Sequence, residues 1–168
     1  MSKLIANRTA QYPLYAEFAF NYNDWAIDSV DGVKKTFGST ALLADPAGAV
    51  TGLTAGTAMV FDCISLPLGA VITGGELIVE QAFVGIGAGA TITLGIAGDT
   101  AALMASLDLD AALVNARQPL LLTKALLCNA GANVRLTTAG LTATATAGKV
   151  RIRVQFTLDG RSHEVIPN

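Results

Sequence analysis

Residues 149–161 read KVRIRVQFTLDGR, and this stretch decides the fold. Val150, Ile152, Val154, Phe156 and Leu158 alternate with Lys149, Arg151, Arg153, Gln155 and Thr157. Successive side chains of a β-strand point to opposite faces, so the segment has one apolar side and one polar side. That is the pattern of an antiparallel strand with a core on one side and water on the other. A slip of one residue would expose all five apolar side chains, so the pairing register is strongly specified.

The same period extends towards the amino terminus. TAMVFDCIS (57–65) puts Met59, Phe61 and Cys63 on one face and Asp62 on the other. LPLGA (66–70) is a turn with Pro67 and Gly69, and Gly74-Gly75 breaks the next strand signal. ELIVEQAFV (76–84) then sets Glu76 and Glu80 against Leu77 and Val79. ATITLGIAG (90–98) groups Ile92, Leu94 and Ile96 opposite Thr91 and Thr93. Further strands are expected near 120–122 and over 133–138. The one helix signal is DTAALMAS (99–106), with Asp99 as its N-cap.

Before these strands lies a different texture. Residues 1–23 are polar with isolated aromatics, Pro13 argues against helix, and YAEFAFNYN (15–23) alternates. An extended N-terminal arm over 1–25 is expected, becoming a strand, with Trp25 anchoring its end. Asp31-Gly32 is a turn, and the Gly-, Ala- and Thr-rich residues 44–56 read as a long surface loop. Short strands, glycine turns and at most one short helix predict an all-β chain. About eight strands suit a jelly-roll-like antiparallel β-sandwich, a single domain over 26–168.

Composition narrows the function. The chain has 168 residues, 52% of them hydrophobic and only 14% charged, which excludes a disordered chain and a coiled coil. Mean hydropathy is +0.51. The longest charge-free stretch, 81–98, is nevertheless cut by Gly85, Gly87, Gly89, Gly95 and Gly98, and reads as strand, turn, strand rather than a membrane span. A net charge of −2 gives no global basic field for nucleic acid. Residues 1–84 carry four basic and eight acidic side chains, and residues 85–168 carry seven and five, a polarity suited to pairing with copies of itself. Cys63 and Cys128 match no zinc or redox spacing and sit in apolar contexts, so two free buried thiols are expected. Together with the lack of a secretory pattern, this predicts folding in a reducing cytoplasm.

The inventory for chemistry is thin. His163 is the only histidine, five residues from the end beside Ser162, and a terminal imidazole is poorly held for acid–base work. Asp108 and Asp110, like Asp28 and Asp31, lack the oxygen count of a cation site and read as solvated. The GxGxG at 85–89 precedes a strand and has no following Lys-Ser/Thr, so it is not a phosphate loop. No enzyme, cofactor or metal is expected. Lys149, Arg151 and Arg153 form a basic row about 6.6 Å apart on one side of a strand. The row either pairs with Glu76 and Glu80 across the sheet or offers a docking face to an acidic partner; Arg161 lies just beyond it, and Arg135 falls on a possible neighbouring strand.

Three segments together, LPLGAVITGGELIVEQAF (66–83), TLGIAGDTAALMA (93–105) and ATAGKVRIRVQFTLDGR (145–161), resemble small structural proteins of tailed bacteriophages. The resemblance covers roughly 57–161 and implies a virion component, a capsid decoration (cement) protein with a jelly-roll fold. It implies trimers on the outer capsid surface, with the major capsid protein and the chain itself as partners, and neither nucleic acid nor membrane. Partner contacts are then expected at Tyr12, Tyr15, Phe18 and Trp25 of the arm and at Lys149, Arg151 and Arg153. A phage tail or tail-tube β-domain would share this composition. A carbohydrate-binding module would need clustered exposed aromatics, which are scarce after Phe61.

Overall fold

The structure, a computed structural model, describes residues 13–38, 57–121, 127–128 and 133–158, and no helix occurs among them. Eleven strands are described: β1 (Leu14–Asn21), β2 (Trp25–Ile27), β3 (Lys34–Thr36), β4 (Met59–Ser65), β5 (Ala70–Val84), β6 (Thr91–Ile96), β7 (Asp99–Asp108), β8 (Arg117–Pro119), β9 (Leu127–Cys128), β10 (Asn133–Ala139) and β11 (Ala147–Leu158). One sheet runs β1-β11-β5-β8, with β9 also on β5; the second runs β4-β10-β6-β7; β2 and β3 form a hairpin. All pairs are antiparallel. Set the hairpin and β9 aside and count the other eight strands in chain order: the sheets read 1-8-3-6 and 2-7-4-5. The first strand lies beside the last and the connections cross between sheets, which is the jelly roll.

β11 alternates as its sequence demands. Val150, Ile152 and Val154 are fully buried and Phe156 nearly so. They pack with Phe20, Leu77, Val79 and Phe83 of the same sheet against Phe61, Leu94, Met104, Val134 and Leu136 of the other, in one core. Of the extended segment expected over 1–25, residues 14–21 are β1, paired along their whole length with β11. Residues 1–12, the loop at 44–56 and everything after Leu158 lie outside the described residues.

The expected helix at 99–106 is instead β7. Ala97 and Gly98, the latter with φ +89°, connect Ile96 to its partner Asp99 in a tight hairpin. The Asp99 carboxylate does accept a local bond, from the Ala101 N–H at 3.1 Å, but there it closes a turn rather than capping a helix. Register shifts against β6 bury the adjacent Leu103 and Met104 together, and this erased the alternation that would have marked a strand.

Two other expectations shift. Gly74-Gly75 does not break a strand, since β5 runs through it for 15 residues. Gly75 has φ +145°, and a Cβ there would collide with the Arg153 carbonyl oxygen and Leu120 Cδ1. The glycine allows close approach of backbones, not an ending. The strand near 120–122 lies earlier, as β8, with Leu120 buried just beyond it. In β4, Val134 pairs with Ile64 while Arg135 pairs with Asp62, leaving Cys63 as an extra residue. That bulge turns Ile64 into the core and leaves Cys63 half-buried, its thiol 3.1 Å from the Val134 carbonyl. Cys63 is free, and burial pushes its thiol up to about 12. The side chain of Cys128 lies outside the described residues.

Candidate interaction surface

The polar side of β11 forms a charge ladder with its neighbours. Lys149 Nζ lies 2.8 Å from Glu80, and Arg151 sits between Glu80 at 2.5 Å and Glu17 at 2.7 Å. Arg153 completes the ladder at 3.1 Å from Glu17. Hydrogen bonds from Lys149 and then Arg151 hold the Glu80 carboxyl below its ordinary range, and the bond to Glu80 raises Arg151 in turn. Glu76 takes no part; it pairs with Arg117 of β8 at 2.9 Å. Arg135 is not in this sheet at all, but on β10, paired with Asp62 at 2.7 Å. Glu17 is the member the sequence reading missed. Placing the first jelly-roll strand beside the last would have found it, because Glu17 is the register partner of Arg153.

A second feature is the β2–β3 hairpin, and it overturns the solvated reading of Asp28. Asp28 is buried, and so is Lys35, whose ammonium lies 2.7 Å from its carboxylate. Lys35 also reaches Asp31 at 2.5 Å. The second oxygens of the two carboxylates accept the N–H groups of Val30 and Val33 in Asx turns. Burial opposes the charge on Lys35, but Asp28 and Asp31 outweigh it and hold the ammonium above its ordinary value. Lys35 likewise holds Asp31 below its ordinary value. The latch is tied to the sandwich by an Asp28–Phe61 bridge and by the Ser29 N–H and hydroxyl on the Val60 carbonyl.

This ionic interior supports an apolar exterior. Trp25 is 54% exposed, Ile27 60%, Val30 77% and Val33 39%. Ten large hydrophobic side chains are exposed among the described residues, and these four are on one hairpin. Lys34 Nζ lies 3.4 Å from the Trp25 ring centroid, a cation–π contact that holds the indole in place.

The other candidate contacts separate. Tyr15 stands out from β1 at 62% exposure. Phe18 is only half-buried and packs against Phe20 and Phe37, whose rings stack on each other at 4.3 Å and lead to Phe61. Tyr12, Arg161, Ser162 and His163 lie outside the described residues. Asp108 is exposed and accepts the N–H groups of Asp110 and Ala111. Among the described residues no three His, Cys, Asp or Glu side chains gather as a metal site would require.

A jelly roll with a charge ladder on one sheet and an apolar hairpin beside the other can be compared with known proteins. Its fold is similar to a chain from a phage capsid. That chain belongs to the cyanophage Pam1 capsid asymmetric unit; it is 18% identical, with a TM-score of 0.60, and the match covers 94% of each chain. At that identity the likeness is one of fold. No protein-family model matches the sequence, and no curated protein does.

Proposed function

We propose that this chain is a virion structural protein without catalytic activity, a decoration or cement protein that binds the outer surface of a phage head as a homo-oligomer. The observation that carries the reading is the latched hairpin. Burying an ion pair is expensive, and this one lies beneath a surface that exposes Trp25, Ile27 and Val30 to water. An exposed apolar cluster on a rigid support is what a partner protein buries at the centre of an interface, where Trp is the most effective anchor. Likeness of fold over nearly the whole of a capsid chain supports the same reading.

The charge ladder is a poorer docking face than its sequence suggested, because Lys149, Arg151 and Arg153 each already hold a carboxylate. In this reading the hairpin and the exposed Tyr15 of β1 make contact with the shell. The test is co-sedimentation of purified protein with heads of the encoding phage that lack it. The intact chain should saturate the heads, and Trp25→Ala with Ile27→Ala should lose most of that binding while melting at the same temperature. Binding to isolated tails in place of heads would move the protein to the tail instead.

A further inference from the structure

The four sheet edges of this sandwich are defended unequally. β8 is three residues long and ends in Pro119, which has no N–H to offer. β7 is bulged, and its Leu103 carbonyl is taken by the Leu121 N–H at 2.6 Å. β4 carries the Asp28–Phe61 bridge, and its Val60 carbonyl is taken by Ser29. Each of these devices prevents a foreign strand from adding to a sheet. β1 has such a device only at its last residue, where Asp24 takes both the Asn21 N–H, at 2.7 Å, and the Asn21 carbonyl, at 3.1 Å. Its eight residues keep an unbroken register with β11, contain neither proline nor lysine, and have no strand on their other side among the described residues. The inward row is also unfinished, since Leu14, Ala16 and Phe18 touch the core but are only partly buried.

We propose that β1 is the contact between two copies of this chain, paired antiparallel about a two-fold axis that sets Phe18 opposite Phe18 of the second copy. The sequence LYAEFAFN is self-complementary in that register. Ala16 faces Phe20 on the inner side, while Glu17 faces Ala19 and Tyr15 faces Asn21 on the outer side. Centring the pair on Glu17 would oppose two carboxylates directly, which is unfavourable. Ala19 is the register partner of Arg151 in β11. Its methyl group leaves an open lane, about 10 Å across two strand spacings, from Arg151 to Glu17 of the second copy. Across it Arg151, already held by Glu80 and Glu17 of its own copy, can share its guanidinium with a third carboxylate, so the contact extends the ladder rather than adding a free ion pair. Pairing would satisfy the backbone groups of β1 ahead of Asn21, whose own are held by Asp24, cover the half-buried inward row and join the two β1 sheets into one.

This contact closes at two copies, so it gives a dimer where the phage resemblance implies a trimer, and it does not depend on the virion reading. Sedimentation equilibrium of the full chain at tens of micromolar should give twice the 17.2 kDa chain mass. Ala19→Glu, an exposed change that fills the lane and faces Glu17 of the second copy, should yield a monomer with an unchanged circular dichroism spectrum. The variant Glu17→Cys/Ala19→Cys should oxidise to a covalent dimer, whereas Tyr15→Cys, which faces Asn21, should not. A wild-type monomer or trimer would overturn the proposal. So would a dimer that survives Ala19→Glu and shows no cross-link in the paired-cysteine variant.

Discussion

Lys35 is the residue on which the candidate surface turns. It is buried with Asp28 at 2.7 Å, so replacing it with Met leaves a carboxylate in the interior without its cation. Breaking one side of a buried pair costs about 3–5 kcal/mol, whereas a pair in contact with water contributes about 1 kcal/mol or less. Urea unfolding should therefore show a large loss for Lys35→Met and a small one for Arg135→Ala, whose partner Asp62 is solvent-accessible. Equal losses would mean that the hairpin is not held by its latch. Gly75 is the second sensitive position. Its φ of +145° and the Arg153 carbonyl against it leave no room for a side chain, and Gly75→Ala should destabilise by about 1–3 kcal/mol in the same assay. A neutral result there would contradict the close β5–β11 approach.

At the scale of elements, the ladder on β1, β11 and β5 predicts an acid limb to the stability curve. Glu80 has a folded value below its ordinary 4.5, so it binds protons more readily when unfolded. Its contribution is complete above that ordinary value and is lost as pH falls towards and through the folded value. Asp31, lowered by Lys35 from 3.8, adds to the same limb. Urea midpoints measured between pH 7 and pH 3 should fall for the wild type and fall less for Glu80→Gln; parallel curves would remove Glu80 from the account. The elements themselves were unequally legible. Period-2 alternation located β11, β6 and much of β4 and β5 directly, because each has one face on the core. It failed at β7, where bulges bury two adjacent residues, and where an Asp that can cap a helix closes a hairpin instead. Asp28 was misread for a related reason: nothing in AIDSVDGVKK says that the hairpin folds Lys35 inward.

The molecule as a whole joins an apolar composition to an almost chargeless interior and one self-neutralised face. Strand count and turn chemistry were enough to expect a jelly roll, but the order of strands in its sheets depends on long-range pairing that no local pattern records. The interaction surface was legible only in part. Trp25 and Tyr15 stand exposed as candidate contacts, whereas Phe18 is half-buried in the aromatic cluster and Ile27, Val30 and Val33 went unnoticed. Their exposure depends on which side of a small hairpin the ion pair occupies. Because β1 is part of the sheet, a shortened chain that tests the arm should begin after residue 12 and keep β1. It should melt within a few degrees of the full chain, as followed by circular dichroism. Cryo-electron microscopy of the intact particle is the most direct test of the central claim. The account predicts β-sandwich density on the outer surface of the shell, with the 25–36 hairpin against it. Density for this chain in the tail, with none on the head, would contradict it.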